Sequence, residues 1–136
     1  MIRLINETGR TLTRGFFSPR LKRLSEILGI RGDITVKLGD PAESQRLNRL
    51  YRHRDHPTDV LSFPLHDQTP DGKFYIGDIF ICREIADRQA RQRNIPPLQE
   101  YLRLVIHGTL HLLGYDHPLP ESEMIALQEK LLEKIG

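Results

Sequence analysis

Apolar residues recur along this chain in two rhythms, and the order in which the rhythms alternate sets the expected fold. Residues 1–6 read as a short strand, and Asp33 to Leu38 alternates apolar with polar and is β-branched, as a strand does. Between them Leu21, Leu24, Ile27 and Leu28 follow helical spacing, with Ser18-Pro19 expected as cap and first helical residue and Gly29 as the stop. Asp40-Pro41-Ala42-Glu43 has the arrangement of a capping box, and Leu47, Leu50 and Tyr51 are the expected buried face of the helix it opens. Val60 to Phe63 reads as a strand that Pro64 ends or confines to an edge. The polar stretch 66–73 carries the turn signal Pro70-Asp71-Gly72 and leads into Phe74 to Ile81, an apolar strand expected at the centre of the sheet. Arg83 to Arg93 has little apolar face and is expected to be a solvent-exposed helix. Pro96-Pro97 opens a helix that is apolar nearly all round, through Leu102, Leu104, Val105, Ile106, Leu110, Leu112 and Leu113, so it should be buried. After Pro118 and Pro120 a last helix shows Met124, Ile125, Leu127, Leu131, Leu132 and Ile135 as its apolar side. This order predicts an α+β fold: a single domain over residues 1–136, with a mixed four-stranded sheet packed by about five helices and its last strand pair antiparallel.

Composition narrows the class without naming a function. The 136 residues suffice for one real core, and 38% apolar with 28% charged residues describes a globular chain, not a disordered one. No stretch approaches the roughly 20 apolar residues of a membrane span. Cys82 is the single cysteine, which excludes an intrachain disulfide. The start, MIRLINETGR, lacks a signal-peptide core, so a cytoplasmic protein with no membrane partner is expected. The net charge of +2 hides an uneven spread: residues 1–60 hold 12 Lys/Arg against 7 Asp/Glu, and residues 61–136 hold 8 against 11. Arg46, Arg49, Arg52 and Arg54 fall within nine residues. Guanidinium forks suit bidentate phosphate contacts, although a solvated helix face accounts for such a run equally well.

Candidate chemistry concentrates in one run, His107-Gly108-Thr109-Leu110-His111-Leu112-Leu113-Gly114-Tyr115-Asp116-His117. On a helix, His107 and His111 stack on one face. Gly114 can stop that helix in a left-handed conformation and return His117 to the same point. Three converging imidazoles make a three-coordinate site for one metal ion, with a position left for water. Two imidazoles on so apolar a helix also need polar partners, and a metal satisfies both at once. The spacing equals that of the zinc-hydrolase pattern H-E-x-x-H-x-x-G-x-x-H, with one departure. Gly108 stands where those proteases carry their general-base glutamate. A three-histidine zinc lowers the pKa of its water to about 7, so metal-assisted hydrolysis of something other than a peptide survives that loss.

Three segments together resemble one family. They are Leu47-Asn48-Arg49-Leu50-Tyr51-Arg52 with Pro57-Thr58-Asp59-Val60-Leu61-Ser62-Phe63-Pro64, then Gly77-Asp78-Ile79, then His107 through His117. They resemble the YbeY-type endoribonucleases, the bacterial ribosomal-RNA maturation factors, from about residue 35 to the C-terminus. The resemblance implies a compact α+β metalloprotein with one zinc on His107, His111 and His117. It implies single-strand-specific endoribonuclease activity in maturing the 3′ end of small-subunit ribosomal RNA, and a role in ribosome quality control. Its implied partners are single-stranded RNA, ribosomal RNA, the small ribosomal subunit and ribosome-associated proteins. The family's activity-linked arginine and first motif histidine fall on Arg52 and His107. His53 departs from the family, which often has glycine after that arginine.

The chemistry assigns further roles. Arg52 is the best candidate to bind the scissile phosphate, held against the core by its apolar helix, with Arg49 and Arg54 as runners-up. Asp116 could accept a proton from a ligand imidazole or cap the turn before Pro118. Asp78 could make the same kind of bond to a histidine or cap backbone beside Gly77. Asp59 and Ser62 should organise the Pro57–Pro64 segment, and His56 and His66 should lie in solvent. Two other readings compete: a zinc-containing RNA- or ribosome-binding assembly factor without catalysis, and a metalloprotease, against which Gly108 counts.

Overall fold

The computed structural model describes all 136 residues. Its elements are β1 (Ile2–Asn6), α1 (Arg14–Leu28), β2 (Asp33–Gly39), α2 (Pro41–Arg52), β3 (Val60–Gln68), β4 (Phe74–Cys82), α3 (Arg83–Arg93), α4 (Pro97–Leu112) and α5 (Glu121–Ile135). They form the expected α+β domain with a mixed four-stranded sheet. Strand order is β1-β2-β4-β3, with β1, β2 and β4 mutually parallel and β3 antiparallel to β4. β4 is central, as its apolar run requires, and β3 is an edge. Pro64 is tolerated there because an edge strand need not donate on its outer side. The strand continues past it through a register break between Pro64 and Asp67.

One face of the sheet carries the core. Ile34, Val36, Leu38, Ile79 and Ile81 are fully buried there, against Leu24, Leu102, Val105, Ile106 and Leu110. Helix α4 packs on β3 and β4, with α1 and α5 beside it. α4 is buried nearly all round, as its composition predicts. No helix is long and apolar enough to cross a membrane.

Three local expectations fail, each for a tertiary reason. Helix α1 starts at Arg14, so Ser18-Pro19 is not its start and Pro19 lies inside it. Phe17 is buried and Phe16 packs on the core, and this anchorage extends the helix despite the backbone bond that proline cannot donate. Helix α3 is not a free polar helix. Ala86 and Ala90 are fully buried and Arg83 and Asp87 are nearly so. Small side chains let α3 approach α4, while Arg83 donates to the Tyr101 hydroxyl (2.9 Å) and to the carbonyls of Arg10 (3.2 Å) and Thr11 (2.7 Å).

The third failure bears on the site. Leu50 and Tyr51 are 53% and 63% exposed and do not form the inner face of α2. That face is polar. The Ser44 hydroxyl bonds both the Thr58 carbonyl and the Thr58 N–H (2.9 Å each), and Asn48 donates to the His56 carbonyl (2.8 Å). These bonds fasten α2 to the loop that leads into β3. Asp40 caps the helix as expected, accepting from the Glu43 N–H at 2.9 Å.

Candidate active site

Helix α4 presents His107 and His111 one turn apart on the side that faces β3. Their ring centroids are 4.6 Å apart and their Nε2 atoms 3.1 Å apart. Each ring is oriented by its other nitrogen. His107 Nδ1 lies 2.7 Å from Gln128 Oε1, and His111 Nδ1 lies 3.1 Å from Asp116 Oδ2. The proton positions follow by elimination. A carboxylate only accepts, so His111 Nδ1 donates to Asp116. Gln128 Nε2 donates to Glu129 Oε2 at 3.1 Å, which leaves its Oε1 facing His107, so His107 Nδ1 also donates. In the neutral rings both Nε2 atoms then carry lone pairs, and those lone pairs face each other across 3.1 Å. Two acceptors so placed repel unless a proton or a metal cation sits between them.

The donor set fits zinc. Two nitrogens at zinc distance and a tetrahedral angle lie about 3.4 Å apart, close to the separation here. Ligand histidines whose outer N–H groups donate to an amide or carboxylate oxygen are the usual arrangement. The turn that follows behaves as its sequence requires. Gly114 adopts φ +80°, and the Gly114 and Tyr115 N–H groups close the helix end on the carbonyls of His111 and Leu110, each at 3.0 Å. His117 returns to the same cavity and stands exposed on its rim. The three imidazoles do not close on one point: no three His, Cys, Asp or Glu side chains stand at ligating distance from a common centre.

The cavity encloses about 340 Å³, and its walls include Arg52, Ser62, His107, His111, Asp116 and His117. Arg52 is the last residue of α2, beyond Ser44 and Asn48 on the same helical stripe. The polar fastening of that stripe, not an apolar face, aims it here. His53 follows in the left-handed conformation, φ 58°, so histidine adopts the backbone shape that suits glycine. Neither nearby carboxylate takes Arg52. Asp55 lies 3.5 Å from Arg49 and accepts from Gln45, while Asp59 accepts from the Val60 N–H and from Gln89. Ser62 donates to the Gly108 carbonyl at 3.3 Å, tying β3 to α4 beside the histidines.

Gly108 has a packing reason. A Cβ there would stand 2.9 Å from two side-chain atoms of Ile79, so a glutamate at this position would have to displace that buried side chain. Asp78 makes no bond to a histidine. It precedes Ile79 and so points to the opposite face of the sheet, where it accepts from the Tyr75 hydroxyl. Cys82 is fully buried away from the cavity, and burial pushes its thiol pKa up. His56 and His66 are exposed, as expected.

Sequence reasoning missed Gln128 and what stands behind it. Met124, Gln128, Leu131 and Ile135 are four buried positions of α5, and the glutamine is the one polar break in that stripe. That break was the available signal. Beyond it, Glu129 accepts from Arg103, and Arg103 Nε donates to Glu100 Oε1 at 3.0 Å. Glu100 is fully buried and its Oε2 has no partner. Burial pushes its pKa up, opposed by the charges of Arg93 and Arg103.

The family model for Endoribonuclease YbeY matches residues 10–136. This chain belongs to the YbeY family. The endoribonuclease YbeY of Persephonella marina is 39% identical over 131 residues, spanning 93% of this chain and 86% of that one. A solution structure from Thermotoga maritima superposes with a TM-score of 0.67 at 33% identity, covering 99% of this chain and 89% of its own. The YbeY match takes in both α2 and α4, so Arg52 and the histidine pair lie within the part that defines the family.

Proposed function

We propose that this chain is a zinc-dependent endoribonuclease specific for single-stranded RNA. We infer further that it matures the 3′ end of small-subunit ribosomal RNA and serves ribosome quality control in the cytoplasm, on the small ribosomal subunit and with ribosome-associated proteins. Family membership supports the nuclease reading. One observation carries the metal part: two imidazole Nε2 atoms stand 3.1 Å apart, each ring held by a polar partner on its far side, in a cleft that also holds Arg52.

His107 and His111 would hold the ion through Nε2, and His117 would complete the set from the rim. When bound, zinc supplies Lewis acidity and a water that ionises near neutral pH. The remaining work belongs to the chain. Gln128 and Asp116 hold the two imidazoles in the tautomer that keeps Nε2 free. Arg52 meets the negative charge that builds on the phosphate under attack, with paired N–H donors in a fixed plane. Gly108 leaves the site without the base a zinc peptidase uses, which favours phosphodiester over peptide hydrolysis.

The test is cleavage of one RNA sequence offered single-stranded and as a duplex, with and without a chelator, over a range of salt. Single strands should be cut, the chelator should stop cleavage, and binding should weaken as salt rises. Equal cleavage of both forms, or cleavage that ignores the chelator, would contradict the reading. A ribosomal precursor extended at its 3′ end should be shortened by the same protein.

A further inference from the structure

The molecule carries a second concavity larger than the histidine cavity. A groove of about 570 Å³ lies on the opposite face of the sheet, between α2 and strands β3 and β4. Its floor is Leu47 and Tyr51 from α2, Phe63 and Leu65 from β3, and Phe80 from β4. Tyr51 is 63% exposed, yet its ring is braced edge-on against Phe63, with centroids 5.2 Å apart. An aromatic face that is rigid and still open to solvent suits stacking.

The groove and the cavity share one wall. Along β3, Ser62 and Pro64 line the cavity, while Phe63 and Leu65 point the other way into the groove. At the end of α2, Arg52 lines the cavity and Tyr51 lines the groove. β3 is the sheet edge, so no further strand separates the two sites on that side.

We propose that the groove receives the base of a nucleotide adjacent to the scissile phosphate of a single-stranded RNA, stacked on Tyr51. The inference rests on the nuclease reading above and adds a subsite to it. The charge of the walls says which part of the nucleotide enters. Glu43 is occupied by Arg46 at 2.7 Å and Glu7 stands 3.8 Å from Lys37, which leaves Asp40 and Asp78 as carboxylates without a cation. Carboxylates repel phosphate, so the backbone stays on the Arg52 side and the base alone crosses. Carboxylates also accept from exocyclic amino groups, which adenine, guanine and cytosine carry and uracil lacks. The ligand class is therefore an amino-bearing base. A duplex is disfavoured because its base would first have to be unpaired and unstacked to reach the groove.

The experiment uses a short uridine-rich RNA with one 2-aminopurine moved along it, bound in the presence of chelator so that it is not cut. One position should be quenched on wild-type protein. Tyr51→Phe should keep that quench. Tyr51→Leu and Tyr51→Ala should lose it, with affinity falling about tenfold, within the range given by stacking on one aromatic. Tyr51→Leu retains an apolar side chain against Phe63, so a loss there is not a loss of fold. Wild-type affinity in Tyr51→Ala, or no quenched position on the wild-type protein, while binding still depends on Arg52, would overturn the subsite and leave the nuclease reading standing. The subsite is overturned equally if a lysine-rich peptide fills the groove and RNA binding ignores Tyr51. Absence of any RNA binding would overturn both.

Discussion

Helices α2 and α4 each deliver one half of the site, and they are held in place by opposite means. α4 is fixed largely by apolar contact, and its two histidines are among the polar exceptions, each with a polar partner. α2 is fixed by hydrogen bonds from Ser44 and Asn48 to the following loop, while Leu50 and Tyr51 face solvent. A metal-binding pair needs positions good to a fraction of an ångström, and close packing supplies them. A phosphate-binding arginine must meet a flexible strand, and a surface helix tied down by a few hydrogen bonds can serve that need. On the proposed reading, metal binding and phosphate contact are thus supported by separate parts of the fold, and each should be open to weakening without the other.

The largest expected effect comes from the α2 side. Arg52→Ala should cut the cleavage rate by roughly 100- to 1000-fold, the loss usual for one preorganised donor set. Arg52 is exposed and has no carboxylate partner, so melting temperature and zinc content should stay near wild type. Arg52→Lys should restore only part of the rate, because an ammonium lacks the planar fork. Normal cleavage by Arg52→Ala would remove the arginine from the mechanism.

On the α4 side, Gln128→Leu should weaken zinc binding by about 10- to 100-fold, the usual effect of losing an outer partner of a ligand histidine. Nitrogen chemical shifts of His107 in the metal-free protein should show the Nε2–H tautomer gaining population. An unchanged tautomer ratio with unchanged zinc affinity would show that Gln128 only fills space.

Asn48→Ala probes the polar fastening of α2 alone. It strands the His56 carbonyl and should cost about 1–3 kcal/mol by denaturant titration. Zinc affinity should not move, while the rate should fall because Arg52 loses its aim. Loss of zinc in this variant would show that the two halves are not separable.

The smallest effect concerns the buried carboxylate behind Glu129. Glu100 has its pKa raised by burial, so the folded chain holds this proton more tightly than the unfolded chain does. Its charged form therefore costs stability, and the cost appears as pH rises from the ordinary glutamate range through the raised value. Glu100→Gln should remove that cost and gain up to about 1 kcal/mol at neutral pH, since one carboxylate oxygen has no partner. The gain should shrink in acid, where Glu100 is already neutral. A variant that is less stable at neutral pH would show that Arg93 and Arg103 outweigh burial.

The sequence carried the α4 half of the site openly. Its histidine spacing, its apolar surroundings and the glycine that ends it are local features, and local geometry turned them into the observed pair. The mixed sheet, its central apolar strand and its antiparallel last pair were legible for the same reason, while the order β1-β2-β4-β3 was not written in any local pattern. The α2 half was misread because Leu47, Leu50 and Tyr51 look like a buried face at helical spacing. What buries Ser44 and Asn48 in their place is a loop some ten residues downstream, and no periodicity reports a hydrogen bond to a loop. Gln128 was hidden in the same way, because its partner lies 21 residues away on another helix. The start of α1 depended on Phe16 and Phe17 finding the core, which a cap-and-proline signal at Ser18-Pro19 does not register.

The central claim is that His107 and His111, with His117 from the rim, bind one metal ion. Zinc content per chain, measured on purified wild-type protein and on the three single histidine-to-alanine variants, tests it most directly. About one zinc is expected on the wild type, and most of it should be lost in His107→Ala and in His111→Ala, with a smaller loss allowed for the rim ligand in His117→Ala. Full zinc content in all three variants would contradict the claim.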